Sequence, residues 1–530
     1  MSPSGRDTNP GTMAAPFATL QRANTAAAAG DTIWLRGGTY FSTTQIVLSK
    51  SGLSDAQRTR IWAYPGEVPI LDCSRYLSTN KAADVPSVLV TGSWMHLKGI
   101  EIANGPVGVP GDHSISMLRT RNASNNTFEL LNIHHGFGPG LFIDTGNGGN
   151  LILNCDSHDN YDKDGSQGDG QNADGFGVHY QTTGPSTIIR GCRAWLNSDD
   201  GYDLISQEVP VTVEQSWAFQ NGFADGGSVS PSSGNGNGFK MGSSATGIRH
   251  IVQQNLAWKN KAAGFYANHS TGGNTWLNNT SFMNGTQFNM LASPANDPNT
   301  TITLTGALAH IMRNNIGFPD RNSNMGGVDT SFNTWDLNIA QAATDFVSTL
   351  DTGATGPRQA NGSVPANGFT RLAAGSPLID KGTNVNLPFV GRAPDLGAFE
   401  FGAVANGSGG SSGAGGAVGG VGGAAGRPDA GTTGAGTGGQ GATGAGGATG
   451  GGGSPATGVG GGAATSIGGN SGGGGTAGGP GGGVDGNASG GCACGLALAS
   501  PGSPWAVALS ALALLALRAR RRPARARRAS

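Results

Sequence analysis

Between Gly140 and Met290 one pattern returns six times: Gly-[aromatic or Leu]-x-[apolar], a turn, an apolar strand, then a small polar pair leading to asparagine. The first limb reads Gly140-Leu141-Phe142-Ile143, Gly175-Phe176-Gly177-Val178 and Gly201-Tyr202-Asp203-Leu204. It recurs as Gly238-Phe239-Lys240-Met241, Gly264-Phe265-Tyr266-Ala267 and, more loosely, Gln287-Phe288-Asn289-Met290. The second limb ends at Asn160, Asn197, Asn221, Asn260 and Asn284, at spacings of 37, 24, 39 and 24. Two rungs are thus close to 24 residues and two carry insertions. One strand-turn-strand coil cannot bury its apolar face alone, whereas stacked coils share a continuous core. The period fits an all-β solenoid, a parallel β-helix.

Stacking fixes neighbours. The second and fourth residues of each limb point inward and the third points out. Phe176, Tyr202, Phe239, Phe265 and Phe288 should form one internal aromatic stack, and the repeated asparagines an internal ladder. Cys155 and Cys192 occupy matching places, on adjacent rungs about 4.8 Å apart. That spacing can be bridged, but an internal thiol ladder is the preferred expectation.

The same register places the acids of Asn197-Ser198-Asp199-Asp200-Gly201-Tyr202-Asp203-Leu204. Alone, Asp-Asp-Gly is turn chemistry. In register, Asp174, Asp200 and Asn237 each precede the glycine of consecutive limbs, while Gly177, Asp203, Lys240 and Tyr266 are consecutive outward positions. Asp174 therefore lies beside Asp200, and Asp203 beside Lys240. The inserted segments, Tyr161 to Asn172 and Gly222 to Gly236, rise at the same edge, where they can wall a groove. Four carboxylates this close repel and raise one another's pKa. A hard cation with oxygen ligands relieves the repulsion, and Ca²⁺ suits such carboxylate-rich sites.

Composition divides the chain. Ala403 to Gly491 is nearly all Gly, Ala, Ser and Thr, too poor in apolar surface to offset its ordering entropy. The expected organisation is a folded unit over 1–402, a disordered glycine-rich linker over 403–491 and a tail over 492–530. The folded unit carries a charge of about −7, which argues against nucleic acid as a partner. Five cysteines in 530 residues make no disulfide framework. A helix starting near Pro16 and ending at Gly30, with a strand over Thr32-Ile33-Trp34-Leu35-Arg36-Gly37-Gly38-Thr39-Tyr40, would close one open end of the solenoid.

The tail has an apolar run from Trp505 to Leu517, only 13 residues, followed by an arginine cluster. That is short of the ~20 residues that span a bilayer. With Cys492-Ala493-Cys494 it resembles the C-terminal sorting tails of myxobacterial surface proteins. The resemblance implies export, with processing or anchoring near the cysteines and contact with the cell envelope through the tail alone. No signal peptide is visible at the N-terminus, so the true start is expected to lie upstream.

The segments Asn172-Ala173-Asp174-Gly175-Phe176-Gly177-Val178-His179-Tyr180, Asn197 to Leu204, and Gly236-Asn237-Gly238-Phe239-Lys240-Met241-Gly242 closely resemble, in order and spacing, the family 9 polysaccharide lyases. The resemblance runs through nearly all of 1–402, including the opening Ser2 to Ala23 and the closing Gly375 to Gly402. It implies a right-handed parallel β-helix of about ten coils, acting as a calcium-dependent pectate lyase on an anionic plant polysaccharide. The family's calcium ligands fall on Asp174, Asp199, Asp200 and Asp203, and its catalytic base on Lys240. A monomer is expected.

The implied chemistry suits these residues. β-Elimination removes the C5 proton of a uronate and breaks the C4–O bond, leaving a 4,5-unsaturated sugar. That proton is poorly acidic, so charge developing on the C6 carboxylate needs electrostatic support, which Ca²⁺ would supply. Lysine is a base only when neutral, and its reference pKa is about 10.4. An alkaline optimum and loss of activity with chelators are expected. His179, His250 and His269 show no catalytic or metal spacing and are taken as structural or surface residues. Arg193, Arg249 and Lys259 are candidates for the substrate's other carboxylates, and Tyr266 for sugar stacking or plain packing.

Two alternatives stay open. A polygalacturonase-type hydrolase also uses clustered aspartates, but its Gly-His-Gly and Arg-x-Lys segments are not found after Asp200; His134-His135-Gly136 precedes it. A surface adhesin with a structural calcium would bind pectate without cutting it. Other uronans, such as rhamnogalacturonan, are also open as substrates.

Overall fold

Each repeat closes into a coil of three short strands. A computed structural model describes residues 1–403 apart from 77–82, 107–110, 224–230, 244–246, 295–296 and 298. The glycine-rich segment and the tail lie outside the described residues. Among those described, the strands form three parallel sheets of 11, 10 and 10 strands, in which every strand but those at the two ends pairs with the matching strands of the coils before and after it. The coil around the expected aspartates shows the plan: Thr187–Arg190 in the first sheet, Arg193–Trp195 in the second and Tyr202–Gln207 in the third.

The turns explain why the sequence tolerates this path. Between the first and second sheets, Leu130, Asn154, Gln215, Gln254, Asn278 and Asn314 take left-handed backbone angles, and between the second and third so do His135, Asp159, Leu196, Gln220, Lys259 and Met283. Their φ values lie between 49° and 59°. None of the twelve is β-branched, the class that left-handed backbone penalises most. Gly191 fills the one coil in between.

All but Leu130 and His135, which open the two series, are followed by a ladder member. Asn160 donates to Asn197 at 2.8 Å, Asn197 to Asn221 at 3.0 Å, Asn221 to Asn260 at 2.9 Å and Asn260 to Asn284 at 2.9 Å. These are the repeat asparagines, fully buried or nearly so. The other turn holds a second ladder. Cys155 Sγ accepts from Leu131 N and Cys192 Sγ from Cys155 N, both at 3.4 Å, and Ser216, Asn255, Asn279, Asn315 and Asn333 continue it. Cys155 and Cys192 are free thiols, and burial pushes the Cys155 thiol well up. Asn221→Ala would strip an acceptor from both nitrogens of Asn197 and a donor from Asn260. We expect a loss of at least about 1–3 kcal/mol, the cost of an unsatisfied buried polar group, read as a lower denaturation midpoint.

Inside the coils, Phe176, Tyr202, Phe239, Phe265 and Phe288 stack with centroids 4.6–5.2 Å apart. A second stack, absent from the sequence expectations, runs outside the second sheet through His134, His158, Trp195, Phe219 and Trp258. A strap from the C-terminal part of the unit covers much of it, with Phe369 5.0 Å from Trp258. The buried Asp156 fastens the strap: Arg193 and Arg358 both pair with it, and Arg193 also donates to the carbonyls of Ala354 and Gly356 at 2.8 Å.

At the N-terminal end, a single α-helix among the described residues, Leu20–Ala26, covers the core with Leu20 and Ala23. It is shorter than expected. Thr19 caps it by accepting from Arg22 N, and Asp7 holds the amides of Ala18 and Thr19, so Pro16 stays outside. Gln21 and Asn24 accept from Val47 N and Ser49 N, satisfying the open edge of the third sheet. The expected single strand after it is two, Thr32–Leu35 and Gly38–Phe41, because Gly38 at φ 111° turns the chain to the next sheet. No helix among the described residues is long and apolar enough to cross a membrane.

Candidate active site

The third sheet brings the acids together. Its register sets Gly177 against Asp203, Asp203 against Lys240 and Lys240 against Tyr266. In the turn just before these strands, each coil's polar side chain ties down the next coil. Asp174 accepts from Asp200 N at 3.1 Å, Asp200 from Asn237 N at 2.6 Å and Nδ2 at 2.9 Å, and Asn237 from Ala263 N at 3.1 Å. Asp199 accepts from Asn235 N at 2.5 Å. One oxygen of each of these three aspartates is thus held by backbone, which fixes the carboxylate, and the second oxygen of Asp200 faces Lys240.

Asp174, Asp199 and Asp200 each offer an atom within 4.8 Å of the others, and all three are buried. Asp203 stands apart from this trio. It belongs to the strand rather than the turn, so its carboxylate faces Lys240 Nζ at 3.3 Å and His179 Nε2 at 3.6 Å. Lys240 Nζ also lies 2.9 Å from Asp200 Oδ2. Its ammonium links the trio to Asp203.

The electrostatics follow from burial and crowding. Burial, then the neighbouring aspartates, push Asp174 and Asp199 well above the carboxylate range. Asp200 is raised by burial despite the opposing pull of Lys240. Asp203 is also buried, yet Lys240 and His179 hold it below its ordinary value. For Lys240 burial acts downward, but Asp200, Asp203, Asp199 and Asp174 outweigh it and hold the ammonium well above the lysine range. Asp203 Oδ1 is buried without a hydrogen-bond partner. An all-oxygen trio braced by backbone, with the orphaned oxygen of Asp203 on the neighbouring strand, fits a hard divalent cation.

The inserted segments meet beside this patch. Ser232 Oγ donates to Ser198 O, and Lys261 Nζ donates to the carbonyls of Ser232 at 2.7 Å and Gly234 at 2.6 Å. Gly170 packs against Ser198 and Ser232, where any side chain would collide. Tyr266 lies next outward from Lys240, partly buried, its phenol pushed up to about 12 chiefly by burial.

Several candidates lie elsewhere. Arg193 is locked in the buried ion pair under the strap, Arg249 donates to the carbonyls of Ala307 and Ala309, and Lys259 pairs with Asp351. Their charges are used in holding loops. His250 belongs to a third ladder, in the turn before the first sheet, accepting from Val211 N at 3.0 Å while its own amide donates to Asn274 Oδ1 at 3.2 Å. His179 is the residue that sequence reasoning passed over. It stands two positions beyond outward Gly177 on the same strand, so the alternation that exposed Asp203 could have found it.

Residues 1–315 match the model of the Pel9A-like, right-handed β-helix region. Pectate lyase L of Dickeya dadantii is 35% identical, over 76% of this chain and 89% of that protein. The crystal structure of pectate lyase Pel9A superposes with a TM-score of 0.62 at 33% identity, covering 76% of this chain and 95% of that one. A rhamnogalacturonan lyase structure gives 0.62 at 30% identity, covering 70% and 95%. With a shared fold, matching length and this level of identity, the chain belongs to the family 9 polysaccharide lyases, the Pel9A-like right-handed β-helix enzymes.

Proposed function

We propose that this chain is a calcium-dependent pectate lyase that cuts polygalacturonate by β-elimination, with Lys240 as the base. The observation that carries the proposal is Lys240 standing in register beside Asp203 and 2.9 Å from Asp200, at the edge of a braced carboxylate trio. The names of the relatives support the substrate class.

Asp174, Asp199 and Asp200 would hold Ca²⁺, with Asp203 completing the donor set through its free oxygen. When bound, the cation supplies Lewis acidity at the C6 carboxylate of the sugar and neutralises the aspartates. Lys240 Nζ then removes the C5 proton, the C–H electron pair moves into the C4–C5 double bond, and the C4–O bond breaks. The leaving oxygen takes its proton from water, and Lys240 is left as an ammonium. Because the aspartates hold Lys240 protonated, activity should rise with pH as the neutral amine becomes populated.

The test is incubation of the protein with calcium and polygalacturonate, following absorbance of the unsaturated product. Reducing ends without that absorbance would mean hydrolysis, and binding without either an adhesin. Absorbance from rhamnogalacturonan but not polygalacturonate would keep the chemistry and change the polymer. We place the enzyme outside the cell or on its surface, on the strength of the Cys-x-Cys, apolar and arginine-rich tail; detection only in the cytosolic fraction would reject this.

A further inference from the structure

Away from the carboxylate patch, the strand Asn132–His134 of the second sheet ends in a histidine, and a second, His135, follows it in the turn. Neighbours in a strand point to opposite faces. Here His135 takes the left-handed bend, φ 55°, and the bend turns the two rings together. Their centroids lie 4.9 Å apart, nearly perpendicular, and the two Nδ1 atoms are 2.7 Å apart. Two imidazole nitrogens face each other at that distance only if one carries a proton and the other a lone pair.

Glu101 settles which is which. Its Oε1 lies 3.3 Å from His134 Nε2, reaching diagonally from the preceding coil, where Glu101 itself pairs with Asn132. The carboxylate accepts a hydrogen bond from Nε2–H, so His134 Nδ1 presents its lone pair and His135 Nδ1 the hydrogen. Burial, and then His158 and His135, hold His134 below the usual histidine range, which favours the neutral ring. His135 is exposed, giving solvent access to the pair.

We propose that His134 and His135 form a binding site for a borderline divalent transition ion of the Zn²⁺, Ni²⁺ or Cu²⁺ class, backed by Glu101. Imidazole donors suit these ions, whereas the all-oxygen aspartate patch suits a hard one, so the two sites sort cations by chemistry. A carboxylate on the far nitrogen of a ligating histidine fixes its tautomer and strengthens its donor. Binding displaces the one proton held between the two Nδ1 atoms, which leaves to solvent. Two nitrogens on a tetrahedral ion at about 2.05 Å stand about 3.3 Å apart. A small rotation of the exposed His135 ring opens the pair that far. Water fills the remaining positions.

The test is Cu²⁺ titration of the full chain with calcium present, read by calorimetry and by electron paramagnetic resonance. One equivalent should bind with the signature of two nitrogen ligands. His135→Asn keeps the left-handed backbone, which asparagine tolerates well, and should weaken binding at least about tenfold, the smallest loss seen when even a partner behind a ligand is removed. Glu101→Gln should weaken it about 10–100-fold, and Asp199→Asn should leave it unchanged. Unaltered affinity in His135→Asn, a spectrum without two nitrogens, or loss of copper binding in Asp199→Asn would each overturn the proposal.

Discussion

Lys240→Ala is expected to lower turnover by about 10²–10⁴-fold, the range for loss of a positioned general base. Substrate and calcium should still bind. The measurement is the rate of unsaturated product at saturating polygalacturonate, beside calcium affinity from calorimetry. Lys240→Arg sharpens the result: it keeps a cation near Asp200 and Asp203, yet a guanidinium stays protonated in proteins. If charge alone mattered, arginine would restore activity; if a proton must be accepted, it would fail like alanine. Retained turnover in the alanine variant would remove Lys240 from the reaction, and retained turnover in the arginine variant alone would reduce its role to that of a fixed charge.

Removing calcium should abolish activity and also change how stability responds to pH. Asp174, Asp199 and Asp200 have folded-state pKa values above their unfolded ones. A carboxyl shifted that way favours the fold while protonated, below its unfolded pKa. It loses that contribution as pH rises through the folded value. Asp203 opposes this in part, since its lowered pKa adds stability as pH rises through the acid range, whereas Lys240, protonated in both states from acid to neutral pH, leaves the slope there unchanged. The chelated protein should therefore melt progressively lower from acid to neutral pH. Calcium at a hundred times its dissociation constant should restore about 2.7 kcal/mol, and the gain should shrink toward acid as protons compete for the carboxylates. Melting curves with and without chelator across pH check this; a calcium effect independent of pH would mean that the trio does not hold the ion.

Much of this was legible in the sequence because a solenoid converts spacing directly into contact. Once Gly175, Gly201 and Gly238 are aligned, the pairing of Asp203 with Lys240 and the row of Asp174, Asp200 and Asn237 follow without knowledge of the rest. What the repeat could not supply were contacts from outside it. Arg193 lies in register with Asp156, but only the strap, more than 150 residues away in the chain, buries that pair. The second ladder was hidden because its members change type from Cys155 and Cys192 through Ser216 to Asn255. They share a geometric duty, accepting one backbone amide, rather than a residue name. The position of Asp203 outside the trio likewise depended on its carboxylate turning toward Lys240 and His179, a rotamer choice beyond the reach of periodicity.

The strap has a mechanical consequence. A stack of coils joined only to nearest neighbours can fray from either end, one rung at a time. Here a single segment reaches from Asn314 and Thr280 back to Asp156, lashing half the rungs to one another. Partial opening of any one of them strains the fastening on the others, so this half of the solenoid is built to yield all at once.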